Sequence, residues 1–354
     1  MSRETMHDLN TNTLIGNTAQ RGTAWHYRTD LQATEPNHYP GPIPIADVNR
    51  RLFHWTAESR RIAVEIPTDI ETMTHIDKQG ATARWAVIEG RQGICRSDTD
   101  AVMGIFTLGY QKHACAEWLL TTVANVLDDS LSISSAGLLR GGAIAWVEVS
   151  VPESITTPEG VTFRPNLLAT TSFDGSIATT FKRTITDTVC DNTRELALSE
   201  KGQAYKVKHS RYSQMKLADA RDALAMVFTL ADEFAAEIAT LCATEVTRAQ
   251  WGKFLDGHVP LVDNKGAKVT GRSLTSADNK RSSLQELYAH DPRVAPWAGT
   301  AHGVLQAVNT WAHHEGTVRG ADRAERNQLK TVTGEFGILD RSTWAQLSGV
   351  LATV

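Results

Sequence analysis

The chain has 354 residues, enough for one large domain or two of ordinary size. Hydrophobic residues make up 41%, ample for a core, and no run of about 18 uninterrupted apolar residues suggests a membrane span. The formal charge of −4 gives no overall attraction to nucleic acid or anionic lipid, so either partner needs a local basic patch.

Residues 1–60 read as an irregular, polar segment. The prolines of "EPNHYPGPIPIADVNRRLFHW" hold an extended path before a short helix over Ile45–Trp55. Residues 61–212 read as an α+β core. "ARWAVIEG" and "AVMGIFTLGYQ" have strand pattern, and "CAEWLLTTVANVLDD" has helical spacing through Trp118, Leu119, Val123 and Leu127. Three strands follow, "AIAWVEVSV", "TFRPNLLATTSF" and "SIATTFKRTI", the last two joined at the hairpin signal Asp174-Gly175. Helical spacing resumes at about Asp187 and ends before Gly202. The expectation is a twisted antiparallel sheet with a β-β-β-α core.

Residues 213–354 read as an all-helical region. Over residues 217–242, Leu217, Leu224, Phe228, Ala231, Phe234, Ile238 and Leu241 share one helical face. "TRAQWGKFLDG" opens with a Thr-x-x-Gln capping box and closes at Gly257, and residues 262–275 have loop composition. Trp25, Trp85, Trp146 and Trp311 are expected in the core.

The stretch with the clearest chemistry is "SEKGQAYKVKHSRYSQMK". Between Lys201 and Lys216 it carries five Lys or Arg and no acid. Lys206, Lys208 and Arg211 could neutralise phosphates while Tyr205 and Tyr212 stack on unpaired bases, the combination used by single-strand binders. A solvated linker is the alternative. Lys182 and Arg183 end a strand nearby. In "SSAGLLRGGAIAW", Arg140 among glycines suits either a phosphate contact or a tight strand-entry turn.

Catalytic candidates are His26, Asp174, Asn192 and His209, which would serve a metal-dependent nuclease or hydrolase. Cys190 with His209 could form a nucleophile pair, but a buried structural Cys suits its apolar flanks better. Cys95, Cys115, Cys190 and Cys242 form no paired motif, so free thiols, no zinc and a reducing cytoplasm are expected. In "VNTWAHHEGTVRG", Asn309, His313 and Arg319 fall near one helical face with His302 two turns earlier. His313 and His314 point about 100° apart on a helix, so no metal site is assigned there, and no cofactor is implied.

The motifs "GTAWH", "SAGLLRGG", "SFDGSIATTFKR", "TVCDNT" and "KHS", in this order, resemble the phage/plasmid-like protein family, domain of unknown function 932, over about residues 14–330. The resemblance implies a mobile-element context and brings no activity with it. At the level of fold, a β-β-β-α core beside a basic segment is similar to the single-strand annealing proteins of phage recombination. That analogy implies a groove with Lys182 and Arg183 in its floor and residues 201–216 as a wall, on a protein able to form homo-oligomers. Three readings stand: binding of single-stranded nucleic acid in DNA metabolism, an enzyme, or an interaction protein acting on a host factor.

Overall fold

A computed structural model describes residues 10–353 except 25–26, 67–83, 125–130, 152–153, 188–191, 195–203, 211–230, 263–265 and 319–322. In chain order the strands are β1 (Thr13–Ile15), β2 (Ala57–Arg60), β3 (Ala63–Ile66), β4 (Arg84–Val87), β5 (Arg91–Arg96), β6 (Val102–Thr107) and β7 (Ser132–Leu139). They continue as β8 (Ile144–Ser150), β9 (Ile155–Thr156), β10 (Thr162–Ser172), β11 (Thr179–Asp187), β12 (Asn192–Arg194) and β13 (Ala204–Val207).

The architecture is α+β. The main sheet is antiparallel with the order β1-β7-β8-β10-β11, and both β12 and β13 pair with the outer side of β11. Smaller sheets are built from β2-β5-β6 and β3-β4. The alternation over β8, β10 and β11 is that of strands buried on both faces: ten of the eleven residues of β10 are buried. On one face Leu14, Ile133, Leu138, Val147, Leu167 and Phe181 form a core with Val48 and Leu52 of the Ile45–Leu52 helix and with Leu119 of the helical turn after Cys115. On the other, Ile144, Trp146 and Leu168 meet Val332 of the Arg323–Thr333 helix. Phe234 and Ile238, on the helix over residues 231–243, pack on Phe163 and Ile185.

The remaining helices have their own core, centred on Phe254, Leu255, Leu284, Val304 and Leu347. The helix Arg248–His258 starts at the expected capping box. The Thr247 N–H donates to Gln250 Oε1 (2.8 Å), and Thr247 Oγ1 accepts from the Gln250 N–H (3.3 Å). The residues read as loop over 262–275 hold the start of the long helix Gly271–His290.

Further expectations are corrected. Helix was expected from about Asp187, but Asn192–Arg194 is a strand, registered on Ile185–Asp187 by edge hydrogen bonds. The basic stretch read as a possible linker contains β13. The expected β10–β11 hairpin is present, with Asp174-Gly175 inside a six-residue connection between Ser172 and Thr179. Trp85, expected in the core, is 59% exposed on β4. The irregular N-terminal segment supplies β1, paired with β7 through Leu14↔Ala136.

Candidate functional site

Sheet periodicity builds the centre of the site. Thr171 near the end of β10 and Thr179 at the start of β11 both lie on the face that holds Ala169 and Phe181, and both are fully buried. Their hydroxyl oxygens are 2.7 Å apart. Two histidines close over them. His113, in the segment after β6, brings Nδ1 to 2.6 Å from Thr179 Oγ1. His209 follows β13, whose Val207 pairs with Thr179. Its Nε2 lies 3.3 Å from both threonine hydroxyls, and its Nδ1 lies 3.0 Å from the Gln111 carbonyl.

A carbonyl only accepts, so His209 carries its proton on Nδ1 and offers Nε2 as an acceptor. No N–H of the cluster is then left without an acceptor when His113 Nδ1–H donates to Thr179, and the two threonine hydroxyls, hydrogen-bonded to each other, donate onward to His209 Nε2 through either oxygen. What remains is the lone pair of His113 Nε2, which is buried and has no hydrogen-bond partner among the described residues. Charging His113 would put a second N–H there. Burial, helped by the neighbouring His209, accordingly pushes its pKa down to about 3, and burial also lowers that of His209.

The imidazoles belong to a column of five rings. Phe106 stacks on Tyr110 (centroids 3.9 Å), Tyr110 on His209 (5.0 Å), His209 on His113 (3.9 Å) and His113 on Trp118 (3.6 Å). Tyr110 donates to the Ser172 carbonyl at 3.0 Å, and burial, with the Asp174 and Cys115 charges, raises its pKa. The column therefore joins β6, the turn at Trp118 and the end of β13 to the main sheet. Its centre is closed: His113 is 1% exposed and both threonines are fully covered. Among the described residues no carboxylate or cation enters the set of hydrogen bonds, and the network fastens the chain after β13.

Of the four catalytic candidates only Asp174 and His209 have described side chains, and the two share no hydrogen bond. Asp174 Oδ1 accepts from the Ser176 N–H (2.8 Å), and its Oδ2 accepts from Arg140 (2.9 Å). Burial alone would raise its pKa, but the Ser176 and Arg140 hydrogen bonds outweigh it and hold the carboxyl below the usual range. Asn192 is placed only as backbone, opposite Asp187 in β12. His26 and Cys190 lie outside the described residues, and His209 is in the closed network. His313 is buried, with Nδ1 2.9 Å from the Asn309 carbonyl and its ring stacked on Phe336. Burial drives its pKa to about 3.

The described cations have different settings. Lys206 and Lys208 are exposed on either side of the buried Val207, on and just past the outer strand β13. Arg140, half exposed, is tied to Asp174 at the tight β7–β8 turn, where Arg140, Gly141 and Gly142 all have positive φ. Lys182 cannot belong to a surface groove: it is 7% exposed and its ammonium donates to the Thr331 carbonyl. Arg183 and Tyr205 are placed as backbone in β11 and β13, opposite Leu167 and Phe181, while Arg211 and Tyr212 lie outside the described residues.

Sequence reasoning missed His113, Tyr110 and the threonine pair. Thr171 and Thr179 did carry a signal, since both are polar residues at inward-facing strand positions flanking one turn.

A family model described as a domain of unknown function (DUF932) matches residues 102–332, which spans β6, the ring column, β7 to β13 and most of the helical region. No curated protein and no solved structure matches the chain. Among the described residues no helix is long and apolar enough to cross a membrane, and no three His, Cys, Asp or Glu side chains are grouped to hold a metal.

Proposed function

The chain belongs to the DUF932 family, and from its own surfaces we propose that it binds single-stranded nucleic acid along the outer edge of the main sheet, at β13. The observation that carries this reading is the pairing of an exposed cationic strand with a rigid anchor. Lys206 and Lys208 stand out on either side of Val207, and the next residue, His209, is locked into the threonine network. Cations held on an ordered backbone neutralise phosphates without first having to be ordered, which lowers the cost of binding. Tyr205, Arg183, Arg211 and Tyr212 are the adjoining residues whose side chains would extend the contact by charge and stacking. In this reading the protein works in the cytoplasm, in the DNA metabolism of a mobile element. Self-association would align several such edges along one strand.

Fluorescence anisotropy with a labelled single-stranded oligonucleotide tests it. The unmodified protein binds at low salt. Lys206→Ala with Lys208→Ala weakens binding and reduces the slope of log K against log salt by about 1.4, at about 0.7 for each single-strand phosphate contact. An unmodified protein that fails to bind at low salt overturns the proposal.

A further inference from the structure

The helix Gly271–His290 buries Leu284 and Leu287 and carries beside them a polar, largely exposed stripe. Arg272, Thr275, Ser276, Asn279, Lys280 and Ser283 recur at the i, i+3, i+4, i+7 spacing of a single face. This face lines an open cleft of about 690 Å³, closed on its other side by Trp311, Glu315 and Thr317. That volume falls within the roughly 300–1,000 Å³ of small-molecule sites.

Lys280 is the informative residue. Its ammonium sits 4.4 Å from the centre of the Trp311 ring and 3.3 Å from His258 Nε2. His258 Nδ1 faces Gln346 Oε1 at 3.0 Å; that oxygen only accepts, so His258 holds its proton on Nδ1 and takes the Lys280 hydrogen bond on Nε2. The half-buried ammonium therefore rests against two neutral rings. Burial lowers its pKa, as expected of a cation without a counter-charge. Neither Lys280 nor Arg272 has a carboxylate partner among the described residues, whereas the adjacent Arg281 is paired with Asp256 at 2.7 Å. Glu315, the acid of the lining, pairs with neither cation, so the cleft keeps an excess of positive charge.

Eight residues separate the two cations along the helix, about 12 Å at about 1.5 Å per residue. One phosphate does not span that distance, but two or three linked phosphates do once the long side chains reach inward. The hydroxyls of Thr275 and Ser276 lie between them on the same stripe, ready to donate to phosphate oxygens. We propose that this cleft binds a run of linked phosphates, held at one end by Lys280 and at the other by Arg272. The source of that chemistry is a free oligophosphate compound or the backbone of a nucleic-acid strand.

Isothermal titration of the full chain with tripolyphosphate and with inorganic phosphate tests the proposal. The expected result is tighter binding of tripolyphosphate, weakened about tenfold or more by Lys280→Met and several-fold by Arg272→Gln. The Lys206→Ala, Lys208→Ala variant keeps tripolyphosphate binding, which separates this site from the β13 edge. No heat with tripolyphosphate, or equal affinity in the Lys280→Met protein, overturns the proposal. If that variant does not fold, acylation of Lys280 in the unmodified protein, read by peptide mass spectrometry, replaces it. Protection by tripolyphosphate supports the site, and unchanged labelling overturns it. A labelled oligonucleotide identifies the source: its affinity falls in Lys280→Met if the phosphates are those of a strand, and holds if they are those of a free compound.

Discussion

Replacing Thr179 by Val removes one oxygen and keeps the branched shape, so it isolates the hydroxyl at the centre of the network. That oxygen meets His113 Nδ1 at 2.6 Å, Thr171 Oγ1 at 2.7 Å and His209 Nε2 at 3.3 Å. The valine strands the buried His113 N–H and deletes the hydrogen bond to Thr171. A stranded buried donor costs about 1–3 kcal/mol and a lost neutral hydrogen bond about 1 kcal/mol, for a total of roughly 2–4 kcal/mol. His113→Phe retains a flat ring against Trp118 and removes the nitrogen that the valine orphans. Combined with Thr179→Val it leaves no stranded donor, so the double variant is less destabilised than the sum of the singles by about 1 kcal/mol or more. Urea unfolding with constant m-value reads all three changes as shifts in midpoint. Single changes that add within about 0.5 kcal/mol would falsify the His113–Thr179 hydrogen bond.

Three further outcomes are expected. Lys182→Met lowers stability, because a buried chain anchored on Thr331 is lost, yet leaves the salt slope of nucleic-acid binding unchanged; a flatter slope places Lys182 in the binding surface after all. The folded pKa of His113, about 3, lies below its ordinary value of 6.5, so the unfolded chain binds its proton more readily. Its contribution is complete above pH 6.5 and is lost as pH falls toward about 3, at up to about 1.4 kcal/mol per pH unit. His113→Phe therefore flattens the acid limb of the stability profile, which His209 and His313 shape in the same direction. Gly137→Ala would drive a Cβ into the Trp146 ring, so a loss of about 1–3 kcal/mol is expected in urea unfolding, and a neutral result refutes the close contact.

Local physics made the strands of the main sheet and the capped helix at Thr247 readable in advance. Period-two alternation and the Thr-x-x-Gln signature act within one segment. Asn192–Arg194 was misread because its state is set by the open edge of β11, which no local pattern encodes. The site divides along the same line. His209 stood out inside a basic, acid-free stretch, but its partner His113 lies 96 positions earlier and is delivered by the chain that leaves β6. The Lys182 error was avoidable: successive strand side chains leave opposite faces, so paired bases on one strand cannot both floor a single groove.

The anchor and the cationic edge make separable contributions, and that separation tests the proposed function. β13 is a four-residue outer strand held by four register pairs, and short edge strands open at low cost. Fixing one residue's backbone costs about 1–2 kcal/mol of conformational entropy. If Lys206 and Lys208 frayed from β11, that cost would have to be met each time a strand bound. His209 stacked between Tyr110 and His113, with its nitrogens bonded to the threonines and to Gln111, meets it on folding. Thr179→Val should therefore lower oligonucleotide affinity while keeping the wild-type salt slope, since every cation remains. Lys206→Ala with Lys208→Ala should flatten the slope and leave the urea midpoint within about 0.5 kcal/mol, because exposed side chains contribute little to folding. Anisotropy at several salt concentrations, alongside urea unfolding of the same preparations, separates the two. A Thr179→Val protein that is less stable but binds with full affinity would show that the network holds the fold and has no part in binding.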